Sequence, residues 1–225
     1  MLTRRNLLEL GLGAAAGARY LLGAEPSPVT PEQALAELVE GNRRFVAGHP
    51  KHPNSSLARA NRVGKEGQHP HSVVLCCSDS RVPPEILFDQ GIGDVFVVRV
   101  AGNVANGDEI GSIEYAVEHL SVPLCIVLGH ASCGAVGAVV DGERVSKEIQ
   151  HLVEPIQHSY QEAKSLHPKS ERAELIRETV RLNVLATSKA LSETELLAEV
   201  IRAGRLQIKG AVYDLETSRV EWVAR

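Results

Sequence analysis

Residues 123–129 read Pro123-Leu124-Cys125-Ile126-Val127-Leu128-Gly129. Everything between the proline and the glycine is apolar. A strand that is apolar on both faces is covered on both faces, which suits a central strand of a parallel sheet. Two more strand candidates lie upstream: Ser72–Cys76 and the run "DVFVVRV" at Asp94–Val100. Helical periodicity fills the intervals. Ile110, Ile113, Ala116, Val117 and Leu120 share one face of a helix over Glu109–Leu120, and another helix opens at Gly134–Val140. Longer amphipathic helices follow at Lys147–Ala163 and Glu171–Lys189, then a shorter one at Glu193–Arg202, stopped by Gly204. This alternation predicts an α/β fold with a mainly parallel central β-sheet flanked by helices.

The two ends of the chain add to this frame. Thr30-Pro31-Glu32-Gln33 announces a helix, with a capping Thr, Pro at the first helical position and Gln33 three residues after the cap. Leu35, Leu38, Val39, Asn42, Phe45 and Val46 continue it as an N-terminal helical arm over 31–47, ended by Gly48 and Pro50. Residues 49–71 are polar and rich in Gly, Pro and His, hence a long loop or short helices. Leu206–Leu215 and Arg219–Val223 predict a C-terminal hairpin around Glu216-Thr217-Ser218.

The chain has 225 residues, 44% apolar and 23% charged, with a net charge of -4. That length buries a sizeable core and that composition excludes a disordered chain. With no Lys/Arg run longer than two, nucleic-acid binding has little electrostatic support. No stretch is long and apolar enough to predict a stable membrane span. Residues 26–225 read as a single domain. Residues 1–25 differ: Arg4-Arg5 precede a Gly/Ala/Leu-rich stretch, which resembles a twin-arginine export signal. The expected location is therefore periplasmic or exported. The alternative is an amphipathic N-terminal helix on a cytoplasmic protein.

The chemistry gathers just past two strands. In open parallel sheets, ligands bind beyond the carboxyl ends of the strands. After Ser72–Cys76 comes Cys77-Ser78-Asp79-Ser80-Arg81; after Pro123–Gly129 comes His130-Ala131-Ser132-Cys133-Gly134. If those strands are neighbours, about 4.8 Å apart, Cys77, His130 and Cys133 converge. Two thiolates and an imidazole suit tetrahedral zinc, and three protein ligands leave the fourth position for water or substrate. Asp79 is a possible fourth ligand, or an acceptor facing that position. Arg81 is its natural partner, since a guanidinium holds a carboxylate through paired hydrogen bonds. Four cysteines are too few for a disulfide scaffold, and Cys76 and Cys125 read as small buried hydrophobes.

At these residues the sequence resembles a β-class carbonic anhydrase. Cys77, Asp79 and Arg81 fit the family's C-x-D-x-R motif, and His130 and Cys133, between Gly129 and Gly134, fit G-H-x-x-C-G. "ALAELVEGNRRFVAG", "FVVRVAGN", "SIEYAVEHL" and "GAVYDLETSRVEW" extend the likeness from about Thr30 to the C-terminus. The resemblance implies one zinc ion per chain and reversible hydration of carbon dioxide to bicarbonate and a proton, through zinc-bound hydroxide. It also implies substrate-binding roles for Gln68, Phe96 and Tyr115, the plant-like (type I) pocket. By themselves these three residues read as solvated loop and core packing. Where the other pocket variety carries a Trp-x-Gly run, this chain has Val74-Leu75-Cys76. Cys76 departs from the usual Ala or Gly, an expected point of oxidation sensitivity. His69 and His71 are candidates to relay the released proton. The resemblance further implies a homodimer or homotetramer, with helix 31–47 wrapping the partner.

Three other functions share these residues: a carbonyl sulfide or carbon disulfide hydrolase on the same scaffold, a non-catalytic zinc-binding protein, and a thiol redox enzyme built on Cys76 and Cys77. Asp79 and Arg81 speak against the second, because a structural site has no need of them.

Overall fold

The computed structural model describes residues 27–223. The export-signal expectation falls on residues outside that range. Helix α1, Pro31–Val46, starts as the sequence dictates. The Thr30 side chain accepts from the Gln33 N–H, and the Gln33 side chain accepts in return from the Thr30 N–H. The polar segment that follows contains a helix, α2, Leu57–Glu66, with no buried residue. The remaining elements are β1 Ser72–Cys76, α3 Pro84–Leu87, β2 Val95–Arg99, α4 Gly107–Leu120, β3 Leu124–His130 and α5 Gly134–Asp141. Then come α6 Lys147–Leu166, α7 Arg172–Ser192, α8 Glu195–Arg202, β4 Gln207–Tyr213 and β5 Val220–Val223.

The five strands form one sheet in the order β2-β1-β3-β4-β5. Neighbours are parallel except β4 and β5, the expected C-terminal hairpin. Asp214 makes its turn by accepting, through Oδ1, from the N–H groups of Glu216 and Thr217 and from the Thr217 hydroxyl. β3 is buried along its whole length, as its two apolar faces require. It packs Cys125 and Val127 into one layer, with Ile113, Val184 and Leu197, and Ile126 and Leu128 into the other, with Leu38 and Phe88.

Two boundaries differ from the sequence reading in ways that matter for the site. β3 runs one residue further, so His130 is itself a strand residue, paired with Tyr213. The Ala131 N–H continues that ladder to the Tyr213 carbonyl at 2.8 Å. β2 ends at Arg99, and Ala101–Asn103 turns into a 3₁₀ segment in which Gly102 takes φ 76°.

Candidate metal centre

β1 and β3 are hydrogen-bonded neighbours, so their carboxyl ends lie side by side. Cys77 follows the last residue of β1, His130 ends β3, and Cys133 caps α5. The three donor atoms lie within 4.8 Å of one another and all three residues are buried. The loop between the β3 ligands is tight. Ser132 sits at φ 53°, in the left-handed region, which turns the chain back so that Cys133 faces His130.

The imidazole is committed to one tautomer. Nδ1 lies 2.9 Å from the Ala131 carbonyl oxygen, which only accepts, so Nδ1 carries the proton. Nε2 is left as a buried lone pair with no hydrogen-bond partner among the described residues. An orphaned buried acceptor is costly unless a cation or donor meets it. A carbonyl that accepts from the far ring nitrogen in this way orients metal-bound histidines.

The sulfurs are prepared as well. Cys77 Sγ accepts from the Gly102 N–H at 3.3 Å. The Cys133 thiol first, and that N–H, hold the Cys77 thiol well below its ordinary range. Cys133 is driven up instead, by donating to Cys77 and by burial. Cys76, one residue away, is pushed up by burial to about 12, as is Cys125. Both are buried core thiols, which opposes the oxidation sensitivity expected at Cys76.

Three donors held tetrahedrally about 2.0–2.3 Å from one ion stand about 3.5–3.8 Å apart, so the observed cluster fits a single ion with little movement. Asp79 stands beside it, Oδ2 3.9 Å from His130 Nε2. Arg81 grips this carboxylate through Nε at 2.9 Å and Nη2 at 2.7 Å, and the Arg81 N–H adds a third bond at 2.9 Å. The guanidinium holds the Asp79 carboxyl well below the usual carboxylate range.

Arg99 was not singled out by the sequence reading. Its Nε donates to the Cys77 carbonyl at 3.1 Å and its Nη2 to the Asp79 carbonyl at 2.6 Å. It thereby ties down both ends of the segment carrying one ligand and the carboxylate. No pattern in the sequence marks it; Arg99 reaches the site through its ladder position, paired with Cys76 at the end of β1.

The remaining expected site residues lie elsewhere in the chain. Phe96 pairs with Val73, four residues before Cys77, or about 13 Å at strand rise. Its ring lies 6.3 Å from that of Tyr115, which lies 4.9 Å from His119. Tyr115, Gln68 and His69 are exposed. His71 bonds Ser72 Oγ and Gln90 Oε1, so its ring is spoken for. A cavity of about 470 Å³ borders Cys133 but not Cys77, Asp79 or Arg81, and so lies behind the ligand loop.

The carbonic anhydrase family profile matches residues 72–220, which include all three donors, Asp79 and Arg81. The chain belongs to the β-class of the carbonic anhydrase family. It is 43% identical over 198 residues to Carbonic anhydrase 2 of Mycobacterium tuberculosis, covering 84% of this chain and 91% of the relative. It is 42% identical over 199 residues to the Carbonic anhydrase of Mycolicibacterium smegmatis, covering 85% and 92%. A solved tetrameric β-carbonic anhydrase of Sordaria macrospora superposes with a TM-score of 0.70 at 26% identity, over 85% of this chain and 97% of that one. Family and fold thus agree with the donor cluster.

Proposed function

We propose that this family member is a zinc enzyme that reversibly hydrates carbon dioxide to bicarbonate and a proton. The observation that carries the reading is the buried Cys77–His130–Cys133 cluster, within 4.8 Å, beside an arginine-held Asp79. These three residues would hold the zinc ion, which would supply the Lewis acidity that makes a hydroxide nucleophile available near neutral pH.

The chain's own groups then divide the work. Asp79, kept ionised by Arg81, accepts a hydrogen bond and cannot donate one, so it fixes the direction of the attacking O–H. His130 presents Nε2 because Ala131 holds Nδ1. The N–H groups of Ala135 and Val136, at the start of α5, face the Cys133 sulfur and favour its thiolate form. Gln68, Phe96 and Tyr115 serve substrate binding in our reading, at the site of a neighbouring copy rather than their own. The exposure of Tyr115 and Gln68, and the place of Phe96 on edge strand β2, support this. A homodimer or homotetramer follows. Residues 26–225 act as one catalytic unit and residues 1–25 direct export in folded form.

The test is CO2 hydration by stopped flow with zinc determination, on the wild type and Cys133→Ala. Stoichiometric zinc and activity in the first, and loss of both in the second, are expected. A wild type that retains zinc and fails to hydrate CO2 overturns the reading.

A further inference from the structure

One turn of α7 touches both halves of the metal centre. Gly129 precedes His130, and a Cβ there would lie 2.6 Å from Val184 and 3.1 Å from Val180, so the helix backs directly onto the β3 end. Asn183 shares that face, at the three- and four-residue spacing that stacks helical side chains. It is 2% exposed. A buried amide in mid-helix is a poor packing choice unless its hydrogen bonds are used. Asn183 Nδ2 donates to the Gly102 carbonyl at 2.9 Å.

Gly102 is the residue whose N–H reaches the Cys77 sulfur. It has φ 76°, and an added Cβ would sit 2.7 Å from Ile156 Cδ1. No side chain of its own steadies it, and its backbone conformation is one only glycine adopts freely. Asn183, 81 residues away in sequence, is the side chain that anchors it.

Resting on the metal-centre reading above, we propose that Asn183 is a positioning residue for the Cys77 sulfur. It fixes Gly102, Gly102 aims its N–H at the thiolate, and that bond sets how strongly the sulfur donates to the metal. Hydrogen bonds behind metal ligands tune them in this way, and their loss typically costs 10–100-fold in metal affinity or activity.

The test uses cobalt-substituted protein and its thiolate-to-metal charge-transfer band. Asn183→Leu keeps the branched heavy-atom skeleton and removes the donor; Asn183→Asp keeps the shape and turns a carboxylate toward the Gly102 carbonyl. Both should move the band to lower energy and weaken metal retention against a chelator by about 10–100-fold. Leu191→Ala, buried further along α7, is the control for lost stability alone; it should lower the melting temperature and leave the band in place. An unmoved band and unchanged retention in the Asn183 variants overturn the proposal, as does a shift matched by Leu191→Ala. If Asn183→Leu does not fold, Asn183→Asp is read by the same criteria. CO2 hydration is recorded in parallel. A wild type that binds cobalt but not productively sinks the functional reading and leaves the sulfur comparison intact.

Discussion

Among the described residues, every hydrogen bond that the Asp79 carboxylate accepts comes from Arg81. One residue therefore sets both the charge and the direction of the carboxylate. A lysine keeps the charge but cannot make two parallel bonds. Arg81→Lys should lower kcat/KM for CO2 hydration about 10–100-fold, with zinc content unchanged. Steady-state kinetics beside metal analysis checks it; undiminished kcat/KM refutes the orienting role.

Arg99 acts on the main chain beneath that pair. Arg99→Met removes two charge-assisted bonds to carbonyls, each worth about 1.5–3 kcal/mol. Because both carbonyls belong to the segment from Cys77 to Asp79, activity should fall about 10–100-fold and zinc should exchange faster. Arg99→Lys should restore part of each loss. Equal zinc exchange in all three proteins would contradict the assignment.

Ser132 adopts φ 53° between two ligands. A left-handed conformation costs an ordinary residue about 1–2 kcal/mol. Ser132→Gly should fold with stability close to wild type and full metal retention. Ser132→Val, β-branched, should lose about 1–2 kcal/mol and bind metal less tightly. Chemical denaturation of both variants, with and without chelator, decides.

Far from the metal, Arg44 and Asp89 form a buried ion pair at 2.5 Å, and Asp89 also accepts from the N–H groups of Lys51 and His52. Burial alone would raise the Asp89 carboxyl, but these donors outweigh it and hold it below its ordinary 3.8. A lowered folded value stabilises the protein fully above the unfolded value and is lost as pH falls through the folded one. Asp89→Asn should cost about 3–5 kcal/mol at neutral pH, since the buried Arg44 loses its close partner and keeps only the half-exposed Glu40, 3.8 Å away. It should also flatten the acid limb of a stability-against-pH curve. An equally steep limb would show that other carboxylates govern acid unfolding.

Two thiolates pass more negative charge to zinc than three imidazoles do. The rate of CO2 hydration should accordingly climb toward alkaline pH, with a midpoint above the value of about 7 for a three-imidazole site. Asp79, held low by Arg81, contributes no limb near neutrality. A pH–rate profile already level below pH 7 would remove the argument.

The parts of the molecule legible in the sequence are those with a period or a spacing. The two-faced apolar run before Gly129 placed β3 at the sheet centre, and Thr30 with Gln33 marked the start of α1. His130-x-x-Cys133 and Cys77-x-Asp79-x-Arg81 announced the cluster because ligand spacing is local. Arg99 and Asn183 left no such trace, since each binds a main-chain carbonyl that any residue would offer. Helix α2 was legible only as one of two alternatives for residues 49–71, a long loop or short helices, because it buries no residue against the core. Gln68, Phe96 and Tyr115 were named from the family resemblance alone, because an exposed loop residue, an edge-strand ring and an exposed helix ring carry no periodicity that marks a pocket.

The first sulfur and the imidazole are separated by a whole crossover, and only the pairing of β1 with β3 brings them together. An unfolded chain offers zinc nothing better than scattered thiols and imidazoles. Capture therefore waits on closure of the sheet, and affinity alone ranks copper above zinc. Choice among ions then falls to the donor set, its geometry and the metal supply where the chain folds.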